Sequence, residues 1–367
     1  MTRKIFFTET SQSLGGQELQ ALEQMEALKA IHYQVILFCK LESEIAKAAK
    51  LLGIEVINLR FVNGFDLYTS LQLARNCRAY QPVAILSHGS RDAILSVYAV
   101  WLAKLLYQLK PSKVFRIKTF QHGYPVSIAY NYLFTKTFVC SEFMKSKFTK
   151  NKAIRSDQIE VLYPGVNFLK LQSSTSNLSI ELGTWFAENP GPIISQVGVL
   201  RGEKGHEVML NAMVLIKQKV TNIRYLIVGD GPNRQLLENL VAELDLLQHV
   251  FFTGHVKSIK PILEISTMTV QPSVYEPLGM AQIEGLYMGV PVIASRVGGI
   301  PETITHEETG ILVEPNNIAE LASAVLSTLG NLDLAKQRSQ KGREFVINRF
   351  SLASNISRLQ ELIEEDH

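Results

Sequence analysis

Thirteen short runs of β-branched and apolar residues, separated by helical patterns, limit what this chain can fold into. In the first half they are KIFF, QVILFC, EVINL, VAILS, RIKTFQ, TFVCS and IEVLY. In the second they are IISQVG, RYLIVG, VFFTG, MTVQPS, PVIAS and GILVE. Continuous apolar strands alternating with helices predict parallel sheets covered on both faces. Such sheets bind ligands outside the carboxyl ends of their strands. The polar stretch LQSSTSNLS, 171–179, reads as a linker. The expectation is therefore an α/β chain of two doubly wound parallel-sheet domains facing a cleft, over 1–170 and 180–345. An amphipathic helical end, 346–367, follows them.

Composition narrows the class. With 367 residues, 46% of them hydrophobic, the chain can bury a sizeable core. Cys39, Cys77 and Cys140 are scattered, with no metal-type spacing and no disulfide framework, which points to a reducing cytosol. No secretory signal is visible, because the apolar run after Lys4 is only Ile-Phe-Phe. The longest apolar segment, AILSVYAVWLAKLLY at 93–107, falls short of the roughly 20 residues a bilayer needs, and reads as a buried helix. Residues 1–170 hold 22 Lys+Arg against 12 Asp+Glu, an excess of +10, and the remainder is acidic. A basic half attracts an anionic substrate, a membrane surface or nucleic acid; a solvated surface explains it equally well.

One stretch carries chemistry, EPLGMAQIEGLYMGVPVIAS at 276–295. Pro277 can open a helix, Gly289 can close it and Pro291 prevents its continuation, so a helix is expected over about 277–288. Its first amides, those of Leu278, Gly279 and Met280, suit an anion. Glu276 is a poor helix cap, so local structure does not explain it. Glu284 follows two turns later. Carboxylates that accept two hydrogen bonds suit the vicinal hydroxyls of a sugar or ribose. The order reads as sugar, diphosphate, ribose; two solvated surface glutamates are the bland alternative.

With its neighbours, PSVYEPLGMAQIEGLYMGVPVIASRVGGIPE resembles the Glu-x7-Glu signature of the retaining GT-B glycosyltransferases, the large family that includes bacterial lipopolysaccharide and glycolipid enzymes. The likeness extends through VGVLRGEKGHEVMLNAM, IVGDGP, FTGHV and ETGILVEP, and more loosely through GGQE, FQHGYP, VCSEFMKSKF and YPGVN. The resemblance implies two Rossmann-like domains, an N-terminal acceptor domain and a C-terminal donor domain, with the last helix packing back on the first. It assigns Glu276 to donor-sugar hydroxyls, Glu284 to ribose hydroxyls, and the 278–280 amides to diphosphate or sugar. Lys204 matches its diphosphate lysine. Its arginine position is Val199 here, with Arg201 two residues later. The backbone of Val256 matches the base contact, Gly15 and Gly16 the diphosphate loop, and His122 the catalytic histidine at the donor sugar. His88, at a second strand end, is a candidate for the acceptor. In YPGVN the family's Asn and Asp are replaced by Pro164 and Asn167, a change at the hinge.

The activity so implied is transfer of a sugar from a nucleotide-diphosphate donor to a glycan or glycolipid acceptor, with retention. Its setting would be lipopolysaccharide, polysaccharide or glycolipid synthesis. No metal or other cofactor is expected, since no Asp-x-Asp occurs and Lys or Arg can stabilise a leaving diphosphate. The expected location is the cytoplasm, with peripheral association at an anionic membrane. An epimerase of the same fold and a non-enzymatic anion-binding protein are the alternatives. A pyridoxal phosphorylase has little support. A nucleic-acid partner is not expected, because interleaved aromatics are missing. A dinucleotide oxidoreductase would need a full Gly-x-Gly-x-x-Gly after the first strand.

Overall fold

Each of the thirteen apolar runs overlaps a strand, although RIKTFQ shares only 116–118 with a strand that begins at Lys113, and its last three residues lie outside the described residues. A computed structural model describes residues 2–118, 127–175 and 177–365. The strands are β1 (Lys4–Thr8), β2 (Gln34–Cys39), β3 (Glu55–Asn58), β4 (Ala84–Ser87), β5 (Lys113–Lys118), β6 (Lys136–Val139) and β7 (Ile159–Val161). They continue with β8 (Ile193–Val197), β9 (Arg224–Val228), β10 (Val250–Gly254), β11 (Met268–Gln271), β12 (Val292–Ser295) and β13 (Ile311–Val313). The described strands form two all-parallel sheets, ordered β3-β2-β1-β4-β5-β6-β7 and β10-β9-β8-β11-β12-β13. This is the Rossmann-like, doubly wound α/β architecture the strand pattern predicts. In each sheet the strand order reverses once, between β1 and β4 and between β8 and β11, which makes those carboxyl ends the natural ligand crevices.

Alternate residues of each strand feed opposite cores. In β1, Ile5 and Phe7 join the cluster under the helix Gly16–Ala30, while Phe6 joins Leu73 and Ala99 on the other face. Short polar caps start the helices: Ser43, Asp66, Ser141, Ser179 and Asn317 each accept a backbone amide of the first turn. The segment expected to be a buried helix, 93–107, lies in the helix Ser90–Tyr107, but only one side is covered. Trp101 is 52% exposed and Leu105 78%.

The chain divides into Met1–Val166 with Ser351–His367, and Asn167–Phe350. The boundaries expected at 170, 180 and 345 therefore move. The helix Phe168–Ser173 belongs to the second unit because Phe168 stacks on Tyr287, with ring centroids 4.2 Å apart, and the Tyr287 hydroxyl donates to Gln172 Oε1 at 2.9 Å. The helix Leu332–Phe350 runs unbroken past 345, its Ser339 hydroxyl donating to the Gly289 carbonyl at 2.8 Å. The final helix, Leu352–Glu364, packs in the first unit. Gln24 Nε2 donates to Asn355 Oδ1 at 2.8 Å, and Asn355 Nδ2 to the Tyr163 carbonyl at 2.6 Å.

The helix expected over 277–288 is shorter, Ala281–Tyr287. Gly279 has φ +93°, outside the helical region, so the turn cannot begin at Pro277. Gly289, at φ +73°, ends it as its position suggests. The amides of Leu278, Gly279 and Met280 consequently lie in the loop before the helix, not in its first turn.

Candidate active site

In the second unit, chemistry gathers where β8 and β11 diverge. The loop after β8 turns through Gly202–Lys204 and closes at Gly205, whose φ is +70°. A Cβ at Gly205 would stand 1.9 Å from the Pro272 carbonyl oxygen, so only glycine lets this loop lie against the end of β11. The Val274 amide donates to the Glu203 carbonyl at 2.9 Å and fastens the two loops together.

This seam brings Lys204 to Glu276. The Lys204 Nζ donates to Glu276 Oε2 at 2.6 Å. Gln271 Nε2 and Ser273 Oγ reach the same oxygen at 3.4 Å each. Glu276 is only 6% exposed, and Gln271 and Ser273 are buried beside it. Oε1 has no hydrogen-bond partner among the described residues. One oxygen is anchored and the other is open to a donor. The backbone at Glu276 is held from the far side: its carbonyl accepts the Gly299 amide at 3.0 Å, and a Cβ on Gly298 (φ +61°) would come within 1.8 Å of that carbonyl oxygen. Sequence reasoning assigned no role to Gln271, Ser273, Gly298 or Gly299, although Ser273 and the two glycines lie in the stretch it singled out and Gln271 directly precedes it.

The other second-unit candidates take separate positions. Arg201 is exposed and its carbonyl accepts the Lys204 amide at 3.0 Å. Glu284 is partly buried on the helix Ala281–Tyr287. Leu278 is buried, its carbonyl taken by Gln282 Nε2 at 2.8 Å, and Met280 is 37% exposed. Val256 follows β10 and lines a cavity of about 410 Å³ with Asn177, Thr253 and Lys257. His206, next to Lys204, was not foreseen. Both of its ring nitrogens are buried without a partner among the described residues. Burial, and then the Lys204 charge, push its pKa down to about 4, so it stands neutral beside the lysine.

In the first unit, Gly15 and Gly16 start the helix Gly16–Ala30, and Glu18 Oε2 accepts the Gly15 amide at 2.8 Å. That amide is occupied by the cap; at Gly16 a Cβ would meet nothing within 4 Å, so the backbone there is open. His88 follows β4, is 5% exposed and stacks on Phe7 with ring centroids 5.9 Å apart. Its Nδ1 has no partner among the described residues, and burial lowers its pKa to about 4. It is a neutral imidazole.

Two acids beside it escaped the sequence reading. Glu9, directly after β1, accepts the Thr10 and Ser11 amides at 2.8 and 2.9 Å. Asp92 accepts the Thr8 hydroxyl at 3.0 Å and the Gly89 amide at 3.3 Å. Burial, and then the Asp92 charge, raise Glu9 to about 7, and burial raises Asp92 to about 6. The available signals were the strand-end position of Glu9 and the place of Asp92 in the first turn of the helix Ser90–Tyr107. His122 lies outside the described residues. Cys39, Cys77 and Cys140 are buried free thiols; burial pushes Cys39 up to about 11 and Cys77 to about 12, so neither is a nucleophile near neutral pH.

Residues 185–345 match the family model described as glycosyl transferases group 1. The crystal structure of a glycosyltransferase from Rickettsia africae is 25% identical, covers 99% of this chain and 98% of its own, and superposes with a TM-score of 0.84. Anabaena HepE in complex with UDP shares the fold at a TM-score of 0.80, with 16% identity over 98% of this chain and 99% of its own. An uncharacterized glycosyltransferase of Methanocaldococcus jannaschii is 33% identical over 199 residues, 52% of this chain and 48% of that protein. The 2-deoxystreptamine glucosyltransferase of Streptomyces kanamyceticus is 32% identical over 164 residues, 44% of this chain and 42% of that protein. The chain thus spans about half the length of the curated relatives it matches.

Proposed function

We propose that this chain, whose residues 185–345 match the group 1 glycosyl transferases and whose fold is GT-B, transfers a sugar from a nucleotide-diphosphate donor to an acceptor hydroxyl with retention of configuration. The observation that carries this reading is the Lys204–Glu276 contact across the β8/β11 divergence. Glu276 Oε1 accepts a donor-sugar hydroxyl while Oε2 stays anchored. Lys204, already aimed at this point, faces the diphosphate and takes up the charge that develops on it as it leaves. Glu284 holds ribose hydroxyls, and the Val256 backbone meets the base. Arg201, on the exposed side of the same turn, helps to neutralise the diphosphate charge without a metal.

Transfer breaks the bond from the sugar C1 to the phosphate oxygen as the acceptor oxygen bonds to C1 on the same face. The acceptor proton passes to the leaving phosphate oxygen, so no enzymatic nucleophile is required. Gly15 and Gly16 approach the diphosphate, His122 the transferring bond, and His88 the acceptor. The acceptor belongs to lipopolysaccharide, polysaccharide or glycolipid synthesis, reached by peripheral association with an anionic membrane. Among the described residues no single helix is long and apolar enough to cross a bilayer. Incubating the protein with UDP-, GDP- and ADP-sugars without acceptor tests the reading. Slow release of nucleoside diphosphate from one of them is expected, and release from none contradicts it.

A further inference from the structure

Four large apolar side chains within seven positions stand in water on the first unit. Val62 is 64% exposed, Phe65 83%, Leu67 67% and Tyr68 67%. An exposed cluster of this kind marks a contact surface. The segment is well held. Phe61 is buried at 1% and sits at φ +49°, an uncommon state for a bulky residue. Its carbonyl accepts Arg91 Nη1 at 3.1 Å. Asp66 takes the Val62 amide at 3.2 Å, the Thr69 amide at 3.0 Å and the Thr69 hydroxyl at 2.6 Å. Asn63 Oδ1 takes the Phe65 amide at 2.8 Å. The backbone is fixed with its apolar side chains outward, so a small local rearrangement does not hide them.

The rim is cationic. Arg60 and Arg91 are exposed, while the loop's one acid, Asp66, directs both carboxylate oxygens at the loop itself. Position matters too. The loop follows β3, and Arg91 lies in the first turn of the helix Ser90–Tyr107, which starts two residues after His88. The patch therefore borders the carboxyl edge of the first sheet, the edge that carries His88 and Glu9.

We propose that residues 61–68 are a bilayer contact. Val62, Phe65, Leu67 and Tyr68 enter the interfacial layer while Arg60 and Arg91 meet the phosphates of anionic lipids, which holds the His88 edge against the membrane surface. Aromatic and aliphatic side chains ringed by arginine suit that layer, which is apolar on one side and anionic on the other. This places the membrane association of the proposed transferase on one loop and makes its acceptor lipid-borne. The test is arranged so that the surface and the transferase reading fail separately.

The full chain is sedimented with phosphatidylcholine vesicles with and without phosphatidylglycerol, and nucleoside diphosphate binding is titrated in parallel. Wild type is expected to bind the anionic vesicles. The double variant Phe65→Ser/Tyr68→Ser should lose about tenfold or more of that binding. Arg60→Gln should lose about fivefold on anionic vesicles only. Neither variant should change nucleotide binding or the melting temperature, since all three side chains are exposed and none belongs to the donor residues. Vesicle binding unchanged in the double variant overturns the proposal, as does wild type that ignores anionic vesicles. A wild-type dimer in solution that the double variant abolishes also overturns it, in favour of a second copy of the chain. Vesicle binding as expected with no nucleotide bound would keep the surface and reject the transferase reading.

Discussion

Lys204 and Glu276, 72 positions apart in the chain, meet at 2.6 Å with the glutamate buried and the lysine side chain 23% exposed. Separating such a pair strands a poorly solvated charge, at about 3 kcal/mol or more. Glu276→Ala should therefore lower stability as well as turnover. Glu276→Gln keeps an amide oxygen for Gln271 and Ser273 and should cost less stability while losing nearly as much rate. Denaturant midpoints and turnover of the two variants check this; a glutamine variant with near-normal turnover would show that the carboxylate charge is not needed.

Gly298 and Gly289 both have positive φ, +61° and +73°. Only at Gly298 does a Cβ strike backbone, 1.8 Å from the Glu276 carbonyl oxygen; at Gly289 it meets nothing within 4 Å. Gly289→Ala should cost about 1 kcal/mol from the left-handed backbone alone. Gly298→Ala should exceed about 3 kcal/mol, because the loop under Glu276 must also move. Equal melting temperatures for the two variants would contradict this account of how Glu276 is held.

How much of this was legible in the sequence depended on the range of the signal. Strands follow from local apolar runs, and Glu276 stood out because a buried-looking segment kept a charge. The start of the following helix was misplaced by four residues, from Pro277 to Ala281, because Gly279 takes a positive φ, which glycine permits but does not announce. Gln271 and Ser273 are ordinary strand-end polars until Glu276 folds onto them. Glu9 and Asp92 come together only through the β1/β4 pairing, which no local pattern reveals. The unit boundary moved because Phe168 finds Tyr287, a contact across more than a hundred positions.

Glu9 gives a pH prediction whose sign is fixed by its raised pKa, from 4.5 to about 7. Its folded form holds a proton more tightly than the unfolded chain. The associated stability is present below pH 4.5 and is lost as pH rises through about 7, a difference on the order of 3 kcal/mol. Glu9→Gln removes that loss. Its stability relative to wild type should rise from pH 5 to pH 8, read from urea midpoints at both values. A difference independent of pH would mean that Glu9 is ionised throughout.

Positive side chains take the part of a divalent ion in the proposed donor site, so transfer should survive a chelator. Rates measured with excess EDTA are expected to match untreated protein. Activity lost in EDTA and restored by Mg²⁺ or Mn²⁺ would overturn the roles given to Lys204 and Arg201.

The most direct test of the central claim compares two ligands on three proteins. Calorimetric titration of wild type, Lys204→Ala and Glu276→Gln with the free nucleoside diphosphate and with its nucleotide sugar separates the two roles. Lys204→Ala should weaken both ligands about tenfold or more, because the lysine meets the diphosphate they share. Glu276→Gln should weaken the nucleotide sugar and leave the free diphosphate nearly unchanged, because the carboxylate meets only the sugar. If both variants bind both ligands as wild type does, the β8/β11 seam is not the donor site.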